Sequence, residues 1–232
     1  MNEARYAVYH APALGSPWWQ FGTRWVGRDE HSGLHPAQPA WREWTPQAFQ
    51  ALTGEPRRYG FHATLKAPFH LVAGVDEEGL RRRVDQLASQ LRAVPLGRLE
   101  PARVDDFIAL VPTQPSPSLD ACAARCVTEL DDLRAPLTPA DLARRRPERL
   151  PARPRELLDR WGYPWVLDQF RFHMTLSGAV DVATGDHLAG HARAAVERLN
   201  DEHPPVLDRL CVFREERPGA PFIRIHDSQL LG

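Results

Sequence analysis

Cysteine, lysine and long apolar runs are all scarce in this sequence of 232 residues. Three cysteines, an odd count, cannot make a fully paired disulfide framework. Cys122 and Cys126 stand one helical turn apart, outside the Cys-x-x-Cys spacing of zinc ligands, and read as buried, inert thiols. No apolar stretch approaches the roughly 20 residues that cross a bilayer, which excludes a membrane-spanning helix. The first residues lack the basic-then-apolar pattern of a secretory signal, so the expected location is cytoplasmic. Net charge is also missing: a formal charge of -1 gives no bulk basic field for a nucleic-acid backbone, and any phosphate site has to be local. Of the 29 basic residues only Lys66 is a lysine, and it follows directly on the most informative motif of the chain.

What is present is 43% hydrophobic residues, enough for one large core or two small lobes sharing an interface. The patterning predicts a strand over 6–10, then a helix carrying Trp18, Phe21 and Trp25 at i, i+3, i+7. A Pro/Gly-rich stretch over 29–57 holds one short helix near 46–52. A motif-bearing strand over 58–66, a helix over 76–91 and strands over 97–104 and 107–111 follow. The second half repeats that order, with a helix over 119–133, a Pro- and Arg-rich insertion near 135–165, a motif strand over 170–178, a helix over 186–199 and strands over 206–214 and 221–226. Two approximate halves, 1–104 and 105–232, thus form a single bilobal domain, with insertions near 29–57 and 135–165. The expected class is α+β: two pseudo-symmetric lobes, each an antiparallel sheet packed with helices, around a central cleft.

The repeat centres on His62-Ala-Thr-Leu65 and His173-Met-Thr-Leu176, whose histidines lie 173 − 62 = 111 residues apart. Strand alternation places Arg58, His62, Thr64 and Lys66 on one face of the first motif strand, with Gly60 leaving space among them. Arg171, His173, Thr175 and Ser177 share a face of the second. Two such faces across a cleft bring together two imidazoles, two hydroxyls and cationic edges, a set suited to cleaving a phosphodiester. An imidazole has an unperturbed pKa of about 6.5, so one can take a proton from water while the other donates to the leaving alkoxide. The threonine hydroxyls can donate to non-bridging phosphoryl oxygens, and neighbouring cations offset developing negative charge. Such chemistry needs no metal. A single His-x-Thr would read as a strand edge with satisfied polar groups; two in matching contexts do not.

These residues resemble the two-histidine phosphoesterase superfamily. The longer strings Arg5-Tyr-Ala-Val-Tyr9, Trp25-Val-Gly-Arg-Asp29, Arg57-Arg-Tyr-Gly-Phe-His-Ala-Thr-Leu-Lys-Ala-Pro68, Phe170-Arg-Phe-His-Met-Thr-Leu-Ser-Gly178 and Pro218-Gly-Ala-Pro-Phe222 are similar to its branch of phosphonate metabolism proteins, over nearly the whole chain. The resemblance implies duplicated α+β lobes, a catalytic pair at His62 and His173, phosphate binding by Thr64 and Thr175, and no cofactor. Members are often encoded beside genes for carbon–phosphorus bond cleavage, which suggests a small cyclic sugar phosphate as substrate.

Other candidates are weaker. His187 and His191 have the i, i+4 spacing of a metal edge but lack a third ligand, so a solvated helix face is the better reading. His31 and His35 lie in a polar loop, and Asp105-Asp106 and Asp131-Asp132 at element ends. Alternation separates Tyr6, Val8 and His10 from Ala7 and Tyr9, and Tyr9 beside small Ala7 is the tyrosine expected to line the cleft. Trp18, Phe21 and Trp25 read as core, and the arginines over 144–155 as charged surface or a phosphate clamp. The expected function is hydrolysis of a cyclic phosphodiester in a small sugar phosphate or nucleotide. RNA end processing at 2′,3′-cyclic or 2′-5′ linkages is the alternative enzyme, and a phosphate-binding module without turnover the alternative class.

Overall fold

The computed structural model describes residues 4–232. β1 (Arg5–His10) leads into α1 (Pro17–Val26), α2 (Pro46–Leu52), α3 (Gly54–Tyr59), β2 (Ala63–Phe69) and α4 (Glu77–Ala88). β3 (Val94–Pro95), β4 (Leu99–Val104) and β5 (Phe107–Pro112) precede α5 (Pro117–Thr128), α6 (Pro139–Arg145) and α7 (Ala152–Trp161). β6 (Met174–Thr175), α8 (Val182–Glu202), β7 (Val206–Leu207), β8 (Arg209–Glu215) and β9 (Phe222–Gln229) complete the order. The class is α+β. Antiparallel pairing gives a four-stranded sheet in the order β2-β1-β8-β9, a three-stranded sheet β4-β5-β6 and a small pair β3-β7. Neither larger sheet draws on one half of the chain alone: the first takes β8 and β9 from the second half, and the second takes β4 from the first.

Local chemistry explains the helices that frame the motifs. Ser16 caps α1 by accepting from the Trp19 amide, Pro17 opens the first turn with its φ already set, and Gly27 at φ 74° ends it. The buried stripe Trp18, Gly22 and Trp25 faces the main core. Phe21 packs edge-on against Phe61, which is buried immediately before His62. The Trp25 indole N–H donates to the Leu176 carbonyl at 3.0 Å, one residue past Thr175. α1 therefore touches both motif segments.

Two motif strands differ from expectation. Residues 54–59 are helical, so Arg58 lies in the last turn of α3 and not on a strand. Gly60, at φ 82°, ends that helix with its amide on the Pro56 carbonyl, and any Cβ there would meet Glu30 Cβ at 2.5 Å. Buried Arg28 caps the same end, donating to the carbonyls of Arg57 and Arg58 and to that of Phe222 on β9. In the second motif only Met174 and Thr175 pair, with Leu110 and Ala109 of β5; the preceding residues 167–169 form a 3-10 turn.

Over residues 135–165, α6 and α7 occupy much of the insertion. Val127, Leu157 and Val166 make a small satellite core beneath it, joined by Trp161, Tyr163 and Leu167. In the earlier insertion Trp41 lies against His191 of α8 at 4.3 Å between centroids, and His191 pairs with Glu43, which accounts for that histidine without a metal.

Space at Gly22 is the tightest constraint on α1, because an added Cβ would fall 1.9 Å from the Phe61 ring. Gly22→Ala is expected to cost about 1–3 kcal/mol through overpacking, lowering the thermal unfolding midpoint by roughly 2–10 °C. An unchanged midpoint in a calorimetric scan would show that this contact is not needed.

Candidate active site

His62 and His173 are held in the same way. The Nδ1 atom of His62 lies 2.9 Å from the Gly60 carbonyl, and that of His173 lies 2.8 Å from the Arg171 carbonyl, in each case the residue two positions back. A carbonyl only accepts, so each Nδ1 carries the proton and each neutral ring keeps its lone pair on Nε2. His62 Nε2 is 3.3 Å from the Thr64 hydroxyl, and Tyr9 stacks on the same imidazole at 3.9 Å between centroids. His62, Thr64, His173, Thr175 and Tyr9 all line one cavity of about 430 Å³. The structure thus brings both His-Thr pairs and Tyr9 to a single space.

Electrostatics set both imidazoles toward the neutral form. Burial pulls His62 down to about 4, the nearby His173 and His10 act in the same direction, and the Gly60 hydrogen bond opposes them. Burial lowers His173 as well, though the Arg171 carbonyl and the charge of Asp105 pull the other way. The Tyr9 phenol, pushed well above its ordinary value by burial, stays protonated as a donor. Two arginines share one carboxylate at the cavity edge: buried Glu215 accepts from Arg5 and Arg58 and from the Gly219 amide. Burial would raise this carboxyl, but the two guanidinium partners outweigh it and hold the group ionised.

Lys66 and Ser177 are not in the cavity. Lys66 is buried, its ammonium donating to the Val127 carbonyl of α5 at 3.0 Å and pairing with Asp131 at 3.1 Å. Ser177 is buried too; its hydroxyl accepts from the Ile108 amide and donates to the Gly178 carbonyl, tying the motif to β5. The cause is the same in both motifs. Tyr9 pairs with Thr64 but Val8 pairs with Lys66, so Leu65 is an extra residue in β2. The amides of Leu176 and Ser177 both donate to the Ile108 carbonyl, the signature of a bulge at the matching place. Each bulge interrupts alternation just past the threonine, and Ala67 lines the cavity where Lys66 was expected.

Arg58 does line the cavity, from α3, with its guanidinium 5.2 Å from the Tyr59 ring centre. Arg171 supplies its carbonyl to His173 and lines an adjoining cavity of about 270 Å³ with Phe107, Trp165 and Phe170. Sequence reasoning did not single out Arg5, Tyr59 or Tyr163 as lining residues, and took Arg144 and Arg145 as surface more readily than as clamp. The aromatic and basic residues inside the quoted N-terminal and first-motif strings were the available signal for the first two. Among the described residues no group of three or more His, Cys, Asp or Glu side chains could hold a metal ion, and no helix is long and apolar enough to cross a membrane.

The chain belongs to the family described as "Protein of unknown function (DUF1045)", whose model matches residues 64–223 and so takes in Thr64 and the whole second motif. It is similar to a protein of Janthinobacterium sp. (strain Marseille) named ribose 1,5-bisphosphate phosphokinase PhnN, with 41% identity over 227 residues, covering 94% of this chain and 49% of the relative. A protein of the same name from Laribacter hongkongensis (strain HLHK9) is 36% identical over 218 residues, covering 94% of this chain and 50% of the relative. The chain spans about half the length of the curated relatives it matches.

Two histidines lowered by burial, His62 in the cavity and His10 outside it, carry a pH signature. His62 and His10 both titrate near 4 in the folded chain, against about 6.5 when unfolded. Between those values the unfolded chain takes up protons that the folded chain refuses, so stability falls as pH falls from about 6.5 toward 4. The unfolding midpoint should drop between pH 7 and pH 5, and drop less in His62→Gln. Equal drops in thermal scans of the two proteins would show that His62 is not a depressed group.

Proposed function

We propose that this chain hydrolyses a cyclic phosphodiester of a small sugar phosphate or nucleotide, using His62 and His173 as general base and acid. The observation that supports this most is the matched pair of Nδ1–carbonyl bonds, which leaves Nε2 of both rings for proton transfer at a cavity lined by two threonines. In the reaction one neutral imidazole removes a proton from water as the water oxygen bonds to phosphorus. The ring P–O bond breaks, and the protonated partner delivers its proton to the departing alkoxide, leaving a phosphomonoester and an alcohol. Thr64 and Thr175 hydroxyls donate to the non-bridging oxygens. The matched hydrogen bonds give both rings the same competence, so each can serve as base while the other serves as acid.

The relatives' name concerns a ribose bisphosphate and a kinase. The sole lysine here stands between Leu65 and Ala67, so the chain has no Gly-Lys-Ser/Thr phosphate loop, and we attribute the kinase activity to the other half of those longer proteins. Opening a cyclic phosphodiester on a ribose phosphate yields a ribose bisphosphate. The two activities would then be consecutive, which agrees with a place in phosphonate metabolism. The aromatic flank of Phe107, Trp165 and Phe170 beside His173 favours a second reading, in which a nucleobase stacks there and the substrate is a 2′,3′-cyclic or 2′-5′ RNA end.

Turnover of ribose cyclic phosphates, nucleoside 2′,3′-cyclic phosphates and a 2′-5′ dinucleotide, followed in EDTA, tests all of this. Hydrolysis should persist without metal and fall by roughly 10²–10⁴ in His62→Ala and His173→Ala. Inertness toward the whole panel would leave only a binding role, and a requirement for divalent metal would overturn the mechanism.

A further inference from the structure

The cavity is lined by guanidinium groups that the two His-Thr pairs do not use. Four of its lining residues are arginines: Arg5 on β1, Arg58 on α3, and Arg144 and Arg145 in the last turn of α6. Arg5 and Arg58 divide the single carboxylate of Glu215 between them, and Arg144 is paired with Asp141. Arg145 has neither an ion pair nor a hydrogen bond among the described residues; its guanidinium lies over the Tyr163 ring, 4.6 Å from the centre. Glu55 also lines the cavity, but its carboxylate lies 3.5 Å from where a Cβ on Gly178 would stand, at the end of the second motif.

This wall is built and held in place. Thr138 and Asp141 form a capping box that fixes the start of α6, and Asp141 reaches on to Arg144, so the helix end that carries Arg145 is anchored from within. A half-buried guanidinium without a counter-ion is costly, and burial already pulls Arg145 below its ordinary value. Glu215 is taken up by Arg5 and Arg58, and Glu55, the other carboxylate at the cavity, is not paired with Arg145, so the Arg145 guanidinium is the charge left to be matched. A phosphomonoester carries about −1.5 to −2 near pH 7 and presents three oxygens to forked guanidinium donors. A diester carries one negative charge, which the two His-Thr pairs already address.

We infer that Arg145, with Arg5, Arg58 and Tyr163, forms a phosphomonoester subsite, and that the substrate is a small sugar bearing a terminal phosphomonoester in addition to its cyclic diester. The substrate assignment rests on the diesterase reading; the subsite does not. A cavity of about 430 Å³ accommodates a pentose with both groups. Hydrolysis would release a sugar bisphosphate, one phosphate bound by each end of the cavity.

Two measurements on the full chain test it. In titration calorimetry ribose 5-phosphate should bind and ribose should not, with Kd for ribose 5-phosphate raised about tenfold or more in Arg145→Ala and partly restored in Arg145→Lys. In turnover, the ratio of kcat/KM for a ribose cyclic phosphate with a 5-phosphate to the same compound without it should fall about tenfold in Arg145→Ala. Thermal unfolding of both variants verifies that they are folded, and the lysine variant serves if the alanine one is not. Binding of ribose 5-phosphate no tighter than ribose, or unchanged by either substitution, overturns the subsite. Arg145-dependent binding without turnover of either cyclic phosphate keeps the subsite and removes the diesterase reading.

Discussion

Everything at the cavity depends on how α1 is wedged between the two motif segments. Its glycine lets the Phe61 ring lie against the helix, and its last tryptophan holds the Leu176 carbonyl. Phe61 is bonded to His62, and Leu176 to Thr175, so a helix that carries no reacting group sets where both do. The packing is tight and apolar on one side and a single directional hydrogen bond on the other. Interiors packed at crystal-like density transmit such constraints without slack. The α2 end adds to this, with the Leu52 carbonyl accepting from Gly178.

A second layer of order comes from ionic struts at the cavity rim. Buried Glu215 links β1, α3 and the turn at Gly219 through Arg5, Arg58 and a backbone amide. Buried Arg28 joins the end of α3 to β9 through three carbonyls. Removing one partner of such a group leaves a buried charge uncompensated, which is far costlier than losing a surface pair. The quoted strings around Arg5, Arg28, Arg58 and Pro218 to Phe222 meet here.

Much of this was legible in the sequence. Helical spacing of Trp18, Phe21 and Trp25, the Pro46 start of α2 and the aromatic and β-branched content of β1 gave elements at or near their observed bounds. The α+β class followed from them, and the placement of Tyr9 apart from Tyr6 followed from alternation. Lys66 and Ser177 were misplaced because alternation assumes an unbroken ladder, and a one-residue bulge shifts the phase of all that follows. No residue pattern in Leu65-Lys66 or Leu176-Ser177 marks those bulges; they are set by the pairing partners, Val8 and Ile108. Arg58 was read onto a strand because Gly54 and Pro56 look like loop residues, yet Pro56 sits in the first turn of α3, where a missing amide costs nothing. The wall made by α6 was not legible, since its position depends on contacts across the cavity.

The backbone carbonyls behind His62 and His173 fix tautomer and ring direction, as a carboxylate does in a catalytic triad, but they bring no negative charge. Each carbonyl favours the imidazolium only weakly, and burial outweighs it at both rings. On the proposed mechanism the resting site therefore holds two bases and no acid. The negative charge of the bound diester is what makes protonation of one ring favourable, so the acid is created by the molecule it acts on. An uncharged ester of the same shape would enter a site that remains disarmed, and selectivity for anions would arise in the protonation equilibrium before any bond to phosphorus is formed.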